Sequence, residues 1–137
     1  MTELTQQGGC QCGQVRYEVT GAPVSTNLCF CTQCRRQTGS AMPAFATWPA
    51  DRLALLRGAP RSYRSSERAV RQFCQECGSA LFWQADGSGQ VDVFLGSLDA
   101  PERIPPPTMQ IWTRHRMPWV ASIPGVPDHP EGNDAGA

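Results

Sequence analysis

The residues best placed to do chemistry are the thiols of Cys29-Phe30-Cys31-Thr32-Gln33-Cys34, a C-x-C-x-x-C pattern. On an extended backbone, side chains at i and i+2 share a face, so Cys29 and Cys31 can reach one point in space. A turn after Cys31 brings Cys34 back to that point. Three convergent thiols suit a soft divalent metal, and zinc, with four tetrahedral ligands, is the commonest answer. Three protein ligands leave one position open, which is the layout of a catalytic site and not of a purely structural one. Cys29, Cys31 and Cys34 are therefore the expected reactive centre, the alternative being a second structural site completed by a ligand from elsewhere or from an oligomer partner.

The remaining thiols fall into two pairs, Cys10-Gln11-Cys12 and Cys74-Gln75-Glu76-Cys77, the latter followed by Gly78. A C-x-x-C-G run reads as a zinc knuckle: the backbone turns both thiolates toward the metal, and glycine tolerates the required dihedrals. Seven cysteines is an odd number, which a disulfide framework would not use up. Four plus three accounts for all of them, with Cys10, Cys12, Cys74 and Cys77 as a saturated site whose binding energy is folding energy. Spacing alone leaves another partition open, with Cys10, Cys12, Cys29 and Cys31 on one metal and Cys34, Cys74 and Cys77 on the other.

The elements that must position these thiols are short. Residues 15–19 alternate apolar and polar, as a half-buried strand does. A short helical turn stopped by Gly39 follows Cys34. Residues 41–48 read as a strand broken by Pro43, and residues 52–56 carry a short apolar run. Residues 62–65 and 69–73 are strands around a polar turn. Residues 80–83 and 91–95 flank Asp86-Gly87-Ser88-Gly89 as a hairpin. Pro105-Pro106-Pro107 is an extended connector to a last strand at 109–112, and Met117-Pro118-Trp119-Val120 an apolar plug. Residues 1–123 are expected to form one domain, and residues 124–137 a loose tail. Many short strands with little helix predict a mostly β fold.

The composition narrows the partners. With 12 basic and 12 acidic side chains in 137 residues, no net field is set up to hold nucleic acid or an anionic membrane. No apolar run is long enough to span a bilayer. The first residues lack the apolar core of a signal peptide, so the expected compartment is the cytoplasm, where thiols stay reduced.

These motifs, in this order, resemble the glutathione-dependent formaldehyde-activating enzymes and the related centromere-protein-V group. The carriers are Gly9-Cys10-Gln11-Cys12-Gly13 with Val15-Arg16-Tyr17, residues 29–40, Phe73-Cys74-Gln75-Glu76-Cys77-Gly78, and Trp112 with Met117-Pro118-Trp119. The resemblance implies an Mss4-like (β-tent) fold of small antiparallel sheets around zinc. It implies a structural zinc on Cys10, Cys12, Cys74 and Cys77, and a labile zinc on Cys29, Cys31 and Cys34 near which glutathione binds. It implies carbon–sulfur lyase activity on the thiol adduct of a small aldehyde. Two positions depart from the family pattern: Phe30 and Gln110 stand where members usually carry histidine.

Around the trio, Ser40 or the backbone N–H groups after Cys34 are candidates to steady an oxyanion. Arg35 and Arg36 are candidates to offset the site's charge or to fork onto a glutathione carboxylate. His115, between two arginines, is expected to be exposed. Phe30, Phe45, Trp48, Trp83, Trp112 and Trp119 are expected to be mostly core. The competing class is a non-catalytic, zinc-stabilised protein-binding module.

Overall fold

The computed structural model describes residues 4–132. Eleven strands and one short helix occur among them. β1 (Thr5–Gly9), β2 (Arg16–Thr20) and β5 (Leu53–Arg57) form a three-stranded antiparallel sheet, ordered β1-β2-β5. The others are β3 (Ser25–Cys29), β4 (Ala44–Pro49), β6 (Arg61–Arg64), β7 (Ala69–Phe73), β8 (Ala80–Ala85), β9 (Gln90–Phe94), β10 (Met109–Ile111) and β11 (Asp128–His129). They form one sheet ordered β11-β10-β3-β4-β9-β8-β7-β6. Its ladders are antiparallel except where β10 runs parallel to β3 and to β11. The expected mostly β fold is the one found. No helix among the described residues is long and apolar enough to cross a membrane.

The period-2 alternation of the strands gives the larger sheet two buried faces. Ala46 and Trp48 of β4, Leu81 and Phe82 of β8, and Val91 and Val93 of β9 pack with Val15, Tyr17 and Val19, closing the core between the sheets. Tyr17 is fully buried, edge-to-face with Phe82 at 4.9 Å. Its hydroxyl lies 2.6 Å from Ser97 Oγ. Gly8 belongs to β1 and has no unusual backbone; it is glycine because a Cβ there would meet the Tyr17 ring and Ser97 O. The opposite face of the same strands presents Phe45, Thr47, Arg71, Trp83, Asp92 and Phe94, and this face meets the trio.

The segment from Pro124 is not loose over its described part. β11 adds a strand to β10, and Gln110, with no exposed surface, lies at the centre of the join. Its Nε2 donates to Ser122 Oγ, Val126 O and Asp128 Oδ1, and its Oε1 accepts from Arg116 Nη2. A buried amide must be satisfied or it costs free energy, so the returning chain is held by Gln110's own requirements. Residues 133–137 lie outside the described residues. Trp119 departs from the core expectation: it is 74% exposed, while its neighbour Val120 is buried beside Leu28 and Phe30.

Candidate metal centres and the cavity beside them

The fold sorts the seven thiols four and three. Cys10, Cys12, Cys74 and Cys77 offer sulfurs all within 4.8 Å of one another, and so do Cys29, Cys31 and Cys34. All seven are free thiols, and the alternative partition is not the one the chain adopts.

The first cluster is two turns facing each other. The Cys10 turn is closed by the Gly13 N–H on Cys10 O, and the Cys74 turn by the Gly78 N–H on Cys74 O. Both glycines are left-handed, at φ 82 and 79, where a side chain would be strained. Ser79 joins the turns: its Oγ accepts from the Gln11 N–H at 3.0 Å and lies 3.2 Å from Cys77 Sγ. The Ser79 contacts pull the Cys77 thiol to about 5, favouring the thiolate a metal needs. Zinc–sulfur bonds of about 2.3 Å in a tetrahedron place sulfurs ~3.8 Å apart. Cys10–Cys12 and Cys12–Cys74 stand at 3.6 and 3.7 Å, so the four residues fit zinc.

The trio sits at the end of β3 and the start of α1 (Thr32–Thr38). Cys29 closes the strand. Cys31, extended at φ −63 and ψ 155, caps the helix, its sulfur accepting the Cys34 N–H at 3.2 Å. Cys34 lies one turn in, and Gly39 at φ 72 ends the helix. The extended pair followed by a turn is thus realised, with the helix beginning before Cys34 and not after it. Hydrogen bonds from the Cys29 and then the Cys34 thiol, with the Cys34 N–H, hold the Cys31 thiol far below its ordinary range. The mutual contacts with Cys31 and Cys34, and then burial, push Cys29 up. One shared thiolate in a soft donor set is a metal site poised to form.

All three thiols line a cavity of about 280 Å³. Its walls include Phe45, Trp83, Phe94, Ile111 and Trp112. Of its polar lining residues, Arg71 and Asp92 come from strands and belong to no sequence motif. Arg71, 4% exposed, donates from Nη2 to Cys34 Sγ at 3.4 Å and from Nη1 to Gln37 Oε1 at 2.8 Å. Asp92 accepts the Thr47 hydroxyl on Oδ1 at 2.6 Å, and its Oδ2 has no protein donor among the described residues. The signal for both was strand alternation: Arg71 shares a face with Ala69, and Asp92 opposes Val91 and Val93.

The other expected site residues fall elsewhere. Arg35 and Arg36 lie in the last turn of α1 and do not line the cavity. The Arg35 N–H is spent on Cys31 O. Ser40 lies in a separate open groove with Cys10 and Cys77, where its Oγ accepts the Met42 N–H, because Gly39 turns the chain away from the trio. His115 is half-buried, not exposed; it lines the cavity and stacks on Trp112 at 6.2 Å. The two family-departing positions point away. Phe30 packs under Arg116 at 5.0 Å, and Gln110 faces the C-terminal strand.

Burial raises Asp92 to about 6, against the Thr47 bond and Arg71's charge. The folded state therefore binds this proton more tightly than the unfolded chain. The stability it contributes is complete below about pH 4 and is lost as pH rises through about 6. Asp92→Asn removes the cost of a buried charge and keeps an acceptor for Thr47. It is expected to stabilise the protein by about 3 kcal/mol at pH 8, and by about half that at pH 5. Urea unfolding at the two pH values measures this; a pH-independent gain, or a loss, would refute it.

The family described as glutathione-dependent formaldehyde-activating enzyme matches residues 5–115. A Halomonas elongata protein with the curated name "Putative glutathione-dependent formaldehyde-activating enzyme" is 29% identical over 124 residues, 83% of this chain and 78% of its own length. A crystal structure of a Rhodobacter sphaeroides protein aligns with a TM-score of 0.59 and 25% identity, covering 89% of this chain and 98% of that one.

Proposed function

From the premise that the chain belongs to the glutathione-dependent formaldehyde-activating enzyme family, we propose that it is a carbon–sulfur lyase. Its substrate is the adduct of glutathione, or a similar thiol, with a small aldehyde. Cys10, Cys12, Cys74 and Cys77 hold a structural zinc; Cys29, Cys31 and Cys34 hold a second, labile zinc. The observation that carries this reading is a three-thiol cluster, short of one tetrahedral ligand, opening onto a cavity. Seven free thiols suit a reducing, cytoplasmic setting.

When bound at the trio, zinc supplies Lewis-acid polarisation and favours the thiolate form of an incoming thiol. The chain's own residues do the rest. The Arg71 guanidinium, fixed by Gln37 against Cys34 Sγ, offsets the negative charge of three thiolates. In adduct formation the thiol sulfur bonds to the carbonyl carbon. The carbonyl π pair moves to oxygen, and the thiol proton ends on that oxygen. Asp92, with no described protein donor on Oδ2 and its carboxyl raised to about 6, carries that proton; cleavage runs the same steps in reverse. The aromatic walls exclude water, which strengthens both charges' hold on the reacting atoms.

Protein purified without chelator or added thiol is expected to carry two zinc ions per chain. A chelator should strip one while the far-ultraviolet spectrum persists, and glutathione should slow that loss. One tightly held zinc, with no uptake when zinc is added back, would sink the proposal.

A further inference from the structure

The cavity beside the trio also speaks to the size and character of what enters it. Resting on the carbon–sulfur reading above, we propose that the carbonyl substrate is an aldehyde bearing an apolar, planar group of about one ring, in preference to formaldehyde. Ligand sites commonly enclose about 300–1,000 Å³. At about 280 Å³, part of it the position the trio's metal takes, this cavity is too small to enclose a whole tripeptide adduct and leaves more room than a one-carbon aldehyde fills. The tripeptide body of such an adduct lies outside, and the cavity takes the group carried by the carbonyl carbon.

The walls state what that group is. Phe45 and Phe94 stand edge-to-face, 6.2 Å apart at 75°, behind the thiols. Trp83 and Trp112 line the same cavity. A ring among these faces gains stacking and dispersion contacts; a one-carbon aldehyde leaves the walls untouched. Trp112 is also the only described non-glycine residue with positive φ, at φ 57 and ψ 38. A bulky side chain is strained in that conformation, and such outliers cluster at ligand clamps. The strain is held by the Trp112 N–H on Glu131 O, the His115 N–H on Trp112 O and the stack on His115. Of the polar lining, Arg71 and Asp92 serve the thiol and carbonyl oxygen, while Ser66, Arg68 and His115 can meet the rest of the adduct. The reaction is the same in kind: one carbon–sulfur bond forms, the π pair goes to oxygen with the thiol's proton, and nothing is oxidised or reduced.

Calorimetry on the zinc-loaded full chain can separate the substrate's body from its tripeptide. S-benzylglutathione mimics the arylaldehyde adduct, and S-methylglutathione the formaldehyde adduct. Benzyl methyl sulfide, a thioether like both conjugates, supplies the ring without the tripeptide. The benzyl conjugate is expected to bind at least 10-fold tighter than the methyl one. Trp112→Ala should erase the difference. Ala85→Phe, which fills the cavity and leaves Trp112 in place, should block the benzyl conjugate while sparing the methyl one. Equal affinities, or tighter methyl binding, overturn the arylaldehyde inference and leave the glutathione reading standing. Benzyl methyl sulfide binding without either conjugate supports the ring pocket and removes glutathione. Binding of none overturns both.

Discussion

Cys74→Ser is expected to cost the protein its cooperative fold. The four-thiol cluster, the proposed structural zinc site, joins the β1–β2 turn of the small sheet to the β7–β8 turn of the large one. It therefore bridges the same two layers that the main core fills. Structural zinc contributes about 10–16 kcal/mol in peptides that fold around it, while whole domains are stable by about 5–15 kcal/mol. Cys74 is also 1% exposed, so the change leaves a poor ligand in a buried place. The expected result is one zinc fewer per chain and a thermal transition lowered by at least ~15 °C or lost. Circular dichroism with a zinc assay measures both. A variant with the parent's transition temperature would show that this cluster does not hold the fold.

Cys31→Ser is expected to do the reverse: keep the fold and remove the chemistry. Cys31 is the N-cap of α1, accepting the Cys34 N–H through sulfur. Serine is among the preferred caps, so the helix start survives, with stability changed by less than about 1 kcal/mol. What is lost is the only thiol held strongly toward the thiolate in the trio, and with it the labile zinc proposed above. Lewis-acid assistance is worth several kcal/mol, so glutathione-dependent aldehyde turnover should fall at least ~100-fold. Parent-like turnover in a folded, one-zinc variant would remove the trio from the mechanism.

The thiols were the legible part, because metal chemistry constrains residue type and spacing so tightly that both clusters can be read from the chain. The hairpin of β8 and β9 was legible for a related reason: alternation and a glycine-containing loop are local signals. The parallel pairing of β3 with β10 was not, since no local pattern names a partner so distant in sequence. β11 is two residues long in a segment rich in Pro, Gly and Asp, and it exists because buried Gln110 needs partners. Arg71 and Asp92 were passed over because a charged residue in a short strand usually faces solvent. Only the second buried face of the sheet, which no single strand announces, turns them inward. The same geometry explains how Phe30 sits between two of the trio's thiols without lining the cavity: alternation points it away from Cys29 and Cys31.

The pairing of Ile111 directly beside Cys29 has a consequence for synthesis on the ribosome. The trio emerges complete, but the wall made by Ile111, Trp112 and His115 is translated about eighty residues later. At roughly 5–20 residues per second, that is a delay on the order of 4–16 s. During it the thiols stand open on a nascent chain. Metal loading and accidental oxidation compete in that interval, so the outcome depends on the redox state and metal supply of the cell at the moment of translation.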